Sequence, residues 1–258
     1  MKLKLLVAAS LIALSTVSYV AHAQLQRPGE RSGERPGGAS APLPPALRAA
    51  VQSGNAGAIN QAISTLSGGN AVQAGNLANQ VIAVAETMLA TNPQAAVAAA
   101  SAAVAAVRAT ATQASAPQQT QSVLTTAARI FINPAVDKAA PTQAIALASA
   151  TVQAAQTLKN PALTASIATV AVTLAERFLA TNPTAAVQLT AVSVQSVRSP
   201  RVMQGAPDQA LQVATIAARI AISPVAQAAA PQAVGQIAQD ISIVQVAATE
   251  RLRRVGPL

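Results

Sequence analysis

Aliphatic residues recur along most of this chain at the spacing of an α-helix. Leu163, Ile167, Val170, Leu174 and Phe178 follow one another at intervals of 4, 3, 4 and 4. Leu77, Val81, Val84 and Met88 repeat the pattern, as do Val234, Ile237, Ile241, Val244, Ala248 and Leu252. Each set forms a one-sided apolar stripe of period 3.6, the mark of a helix that buries one face. The opposite faces carry Gln, Ser and Thr more than charge. No alternating strand pattern is present.

Proline punctuates these stripes. It fits the first position of a helix, where its missing N–H costs nothing, and it turns the preceding residue away from helical geometry. Together the stripes and X-Pro steps predict helices at about 46–53, 56–66, 70–91, 94–109, 118–132, 141–157, 161–180, 184–198, 208–222 and 231–253.

The pattern repeats at an offset of ninety residues. Leu89-Ala90-Thr91-Asn92-Pro93 recurs as Leu179-Ala180-Thr181-Asn182-Pro183, and Ala127-Ala128-Arg129-Ile130 as Ala217-Ala218-Arg219-Ile220. Pro93, Pro117, Pro134 and Pro141 map without a gap onto Pro183, Pro207, Pro224 and Pro231. A period of this size signals a repeat architecture. Two copies, 70–159 and 160–249, follow a degenerate lead-in at 46–69, and a basic end at 250–258 closes the chain. Asn92-Pro93 and Asn133-Pro134 stand 41 residues apart within a copy. That places about two helices in each half-unit, the size of a HEAT-like hairpin. The expected fold is therefore all-α: a right-handed-type α-solenoid of helical hairpins, HEAT- or TPR-like in architecture. No TPR or ankyrin signature is present.

Composition sharpens the picture. Of 258 residues, 52% are hydrophobic but only 1% aromatic, so the core must be built from Ala, Val, Ile and Leu. Each small side chain buries little, at roughly 0.8 kcal/mol per CH₂, so many helices must touch. The first residues read as a secretory signal. Lys2 and Lys4 precede an apolar run from Leu5 to Leu14, and Ala21-His22-Ala23 is a small-x-small cleavage site. Cleavage after Ala23 and a periplasmic or secreted location are expected, with no transmembrane segment left after cleavage. The absence of cysteine excludes a disulfide. Residues 24–45, with their Arg-Pro-Gly-Glu-like tetrapeptides, have almost nothing to bury and read as a disordered linker.

Cleavage would also remove the only His and the only Tyr, His22 and Tyr19. Loss of Lys2 and Lys4 leaves 15 basic against 8 acidic residues, a net charge of +7. General acid–base work at neutral pH usually relies on His or on a partnered carboxylate. Zinc and haem sites rely mostly on His or Cys. Outside the linker the carboxylates are Glu86, Asp137, Glu176, Asp208, Asp240 and Glu250, well apart in sequence. No catalytic, cofactor-binding or metal-binding residue is nominated, no cofactor is expected, and the chain reads as a non-enzyme.

Three groups of residues remain of interest. Glu86 and Glu176 are repeat-equivalent, as are Arg129 and Arg219. If successive helical hairpins stack in parallel, Glu86, Arg129, Glu176 and Arg219 form one ion-pair ladder that sets the stacking register. Arg251, Arg253 and Arg254 end the last helix, where cations offset the helix dipole and could touch an anionic surface. The nearly all Ala and Val stretch 94–107 reads as central core. Its more polar counterpart 184–198 should be less buried. The function expected is an exported non-catalytic scaffold or protein-binding module. Its partner would be an unknown protein or a second copy of itself. The alternatives are a cationic binder of an envelope surface or other polyanion, without specific nucleic-acid recognition, and a self-assembling structural protein.

Overall fold

A computed structural model describes residues 43–255. The expected signal segment, residues 24–42 of the expected linker and the last three residues lie outside the described residues. The linker's expected end at 45 is corrected, because Leu43 is buried against the core and Pro45 opens the first helix. Among the described residues all regular structure is helical, in fourteen helices. The lead-in holds α1 (Pro45–Gln52) and α2 (Ala56–Ser67). The next six are α3 (Ala71–Met88), α4 (Pro93–Val107), α5 (Thr110–Ser115), α6 (Pro117–Phe131), α7 (Pro134–Ala139) and α8 (Pro141–Gln156). The last six are α9 (Pro161–Phe178), α10 (Pro183–Val197), α11 (Pro200–Gly205), α12 (Pro207–Ala221), α13 (Pro224–Ala229) and α14 (Pro231–Val255). Every start from α9 to α14 lies ninety residues after its counterpart from α3 to α8.

The ten helices predicted from the sequence are present. The structure adds four more, α5, α7, α11 and α13, each of six residues. Less than two turns long, they carry no readable stripe; three of them, α7, α11 and α13, are traced only by a seven-residue proline spacing such as Pro134 to Pro141. Each short helix ends on an alanine before a proline-started helix: Ala116, Ala140, Ala206 and Ala230. These share φ from −133° to −154° and ψ from 52° to 67°. Their N–H groups donate to the carbonyl four residues back at 2.7–3.0 Å. The following proline keeps each alanine out of the helical basin, and the chain turns the same corner four times. Five of the other ten helix starts are capped by an asparagine side chain, as where Asn92 Oδ1 accepts from the Ala95 N–H at 3.1 Å.

The long helices form two rows. In one, α3 packs on α6, α6 on α9 and α9 on α12. In the other, α2 packs on α4, α4 on α8, α8 on α10 and α10 on α14. The rows meet chiefly through the pairs α3–α4, α9–α10, α12–α14, α8–α9 and α6–α8. Between them lies one apolar core, with Phe131, Leu124, Leu147, Ile167, Leu174 and Leu189 among its largest fully buried side chains. Small residues let backbones approach. A methyl group added at Gly205 would sit 2.5 Å from Pro161 Cγ, so glycine is what allows α11 to reach the start of α9.

The expected difference in burial between α4 and α10 is overturned. Both helices are inside on most of their surface. The polar residues of α10 are accommodated because Thr190, Ser193 and Ser196 turn their hydroxyls back onto main-chain carbonyls of Ala186, Leu189 and Ser193 at 2.7–2.8 Å. A hydroxyl satisfied by its own helix can be buried at small cost.

Candidate functional site

Four of the five helices of the second row, all but α14, carry no charge. Helices α2, α4, α8 and α10 contain no Asp, Glu, Lys or Arg. Arg108 and Arg198 stand just beyond α4 and α10, as their C-caps. The other row carries Glu86, Arg129, Glu176, Arg177, Asp208 and Arg219. The uncharged row exposes Gln153 from α8 and Gln188 and Gln195 from α10. The outward positions of α4 are small, at Ala98, Ser101 and Ala105, so the surface dips there. Gly54, Asn55, Gly57, Ala98, Ser101 and Gln143 line the resulting concavity across α2, α4 and α8. Such a surface can offer amide hydrogen bonds and methyl contacts, with no fixed charge. Sequence reasoning treated α4 as buried core and did not see that its row is uncharged, although the absence of charge from each segment was readable.

The four residues of the expected ladder lie in two separate pairs. An Nη2 of Arg129 lies 3.3 Å from the Glu86 carboxylate and donates to Thr126 Oγ1 at 3.0 Å. Arg219 holds Glu176 with two parallel hydrogen bonds, Nε to Oε1 at 2.9 Å and Nη2 to Oε2 at 3.0 Å. That hydrogen bond, and then the carboxylate's charge, raise the Arg219 pKa above its ordinary value. The pair therefore contributes at any pH below the arginine range, provided Glu176 is ionised. A continuous ladder is corrected: Arg129 and Glu176 form no ion pair among the described residues. The link between α6–α7 and α9 is made instead by Arg177, which pairs with Asp137 and donates to the Ile132 carbonyl at 3.2 Å. Asp137 and Arg177 replace Gln227 and Thr87 of the other copy. Charges that break the repeat were the available signal for this pair.

The basic end of α14 is exposed. Arg251 and Arg253 have no carboxylate within 4.0 Å among the described residues, and Arg254 reaches Glu250 only at 3.9 Å. Arg198 donates to the buried Asp240 at 2.5 Å, and Gln236 Nε2 donates to the same oxygen at 3.2 Å. Position 240 corresponds to Ala150, so Arg108 has no such partner.

Among the described residues no three His, Cys, Asp or Glu side chains gather at metal-binding range, and no helix is long and apolar enough to cross a membrane. The molecule is thus all-helical, with two packed rows of helices, one of them free of charge along α2, α4, α8 and α10. No protein-family model, curated protein or solved structure matches the chain.

Proposed function

We propose that the chain is an exported, non-catalytic helical-repeat scaffold, an α-solenoid of two ninety-residue copies. Its uncharged row of α2, α4, α8 and α10 is the face offered to a protein partner. The observation that carries this reading is the absence of any charged residue from four neighbouring helices. Solvated helix faces normally carry charge, and interface cores are depleted of it. Repeat arrays present surfaces of this extended kind. A partner on this face would bind with little dependence on salt, because no exposed ion pair would be screened.

The test is photo-crosslinking in the producing cell. A crosslinking residue is placed at Gln153 or Gln188 on the uncharged row, or at Thr125 or Thr215 on the other row. All four positions are exposed. A discrete adduct from the first two and none from the second two is expected. Adducts from Thr125 and Thr215 alone, or from none of the four, would contradict the proposal. The exposed Arg251, Arg253 and Arg254 support a second reading, contact with an anionic surface, which would fall steeply with salt.

A further inference from the structure

One groove, beside the C-terminal end of α14, combines an apolar lining with three arginines. Helix α14 continues to Val255, although its counterpart α8 stops at Gln156, which corresponds to Val246. The extension runs beside α11, with which α14 packs. It encloses a groove of about 330 Å³, near the lower bound of small-ligand clefts. Pro200, Met203, Ile243 and Ala247 supply its apolar lining, and Arg198, Arg251 and Arg254 its cations.

The first copy places Thr110, Gln113, Gln153 and Thr157 where the second has Pro200, Met203, Ile243 and Ala247. The corresponding hollow there is lined by Thr110, Gln113, Thr157, Leu158 and Lys159, among others. All four apolar substitutions in the second copy therefore fall on one groove. Ile243 remains 48% exposed, so apolar surface stays in water unless something covers it. The cations are partly pre-positioned. Arg198 is held against the groove by Asp240, itself held by Gln236. Glu250 also lines the groove, but lies toward Arg254 at 3.9 Å. Three guanidinium groups against Glu250 and Asp240 leave the site with a net positive charge.

We propose that this groove binds a small anionic amphiphile: a carboxylate borne on a single aliphatic chain. Arg251, the cation with no acidic partner among the described residues, meets the carboxylate, and Ile243, Met203 and Ala247 cover the chain. This site is distinct from the uncharged row, so either proposal can fail without the other.

Methionine methyl labelling of the full chain tests it, because Met203 lines the groove and Met88, on α3, serves as an internal control. Decanoate, kept below its micelle concentration, should shift the Met203 methyl signal saturably and leave Met88 in place. Decanol, with the chain but no charge, and inorganic phosphate, with charge but no chain, should each bind far more weakly. Arg251→Gln and Ile243→Gln each alter an exposed side chain, the latter restoring the first copy's residue. Each should weaken decanoate binding by about five- to tenfold, as expected for one partly exposed charged or apolar contact. An unmoved Met203 signal, equal binding of decanol, or binding indifferent to both substitutions would overturn the proposal. So would an equal response to phosphate or to vesicles of anionic phospholipid that ignores Ile243→Gln, which would mean headgroup contact alone.

Discussion

Helices α8 and α14 stand ninety residues apart and play the same part toward the helices before them. The first packs on α4, α6 and α7, the second on α10, α12 and α13. They differ in their later neighbours. Helix α8 is covered by α9 and α10, whereas among the described residues no helix comes after α14. Along α8, Ile145, Ala148, Val152 and Ala155 are all buried. Helix α14 replaces them with Gly235, Ala238, Ser242 and Gln245, all exposed. Among the described residues one helix is thus covered by later helices and the other is not, and three of the four side chains differ in character accordingly. A repeat's face that no neighbour covers needs polar side chains for the same reason. At the other end α2 contacts α3 and α4 as α8 contacts α9 and α10, while exposing Gly57, Gln61, Ser64 and Thr65. The C-terminal end still exposes apolar residues: Ile222 and Val225 are 73% and 45% exposed at the α12–α13 corner, and Ile243 and Val246 are exposed on α14. The equivalent corner of the first copy is the one that Arg177 reaches from α9.

Exchanging residues between the covered and the uncovered helix should give the largest effects. Ala155→Gln, which puts α14's residue into α8, forces an amide into a fully buried site and should cost about 3 kcal/mol or more. The reverse change, Gln245→Ala in α14, should stay within about 0.5 kcal/mol, as exposed substitutions do. Thermal unfolding checks both, with roughly 2–4 °C expected for each kcal/mol in a chain of this size. Equal losses at the two sites would remove the distinction between the covered and the uncovered helix.

The next difference concerns Arg198 and Arg108. Asp240→Ala leaves Arg198 without its buried partner and should cost about 1–2 kcal/mol. Arg108→Ala, which breaks no ion pair, should change little. Smallest are the paired glutamates. Glu176→Gln removes a two-point hydrogen-bonded pair and should cost about 0.5–1 kcal/mol, while Glu86→Gln, with its single longer contact, should cost less than about 0.5 kcal/mol. Both should fade in 1 M salt, where the screening length is about 3 Å. A loss at Glu86 as large as that at Glu176 would contradict the assigned geometry.

Much of this was legible in the sequence, for definite reasons. The ten long helices were readable because Pro at the first turn and an aliphatic stripe act within one segment. The exact ninety-residue register was readable because prolines tolerate no slippage. The Glu86–Arg129 and Glu176–Arg219 proximities followed from helix level alone. The link from α6–α7 to α9 did not, because Arg177 is next to Glu176 and only packing decides which of the two faces the earlier copy. The short helices were invisible at six residues. The polarity of α10 misled, since buried threonine and serine look like surface until their hydroxyls are seen to bond back. The uncharged row needed the knowledge that α2, α4, α8 and α10 are neighbours in space.

We propose that the ninety-residue unit is a modular rung of a helical array. The direct measurement is small-angle X-ray scattering on a chain with one extra unit inserted after Asn160. The insert consists of residues 161–230 followed by 141–160, so that it ends in the sequence of α8 and not in that of α14. A folded monomer of unchanged helical fraction, whose longest dimension grows in proportion to the added unit, is expected. An aggregated or partly unfolded chain, or a compact particle that gains volume without lengthening, would contradict the proposal.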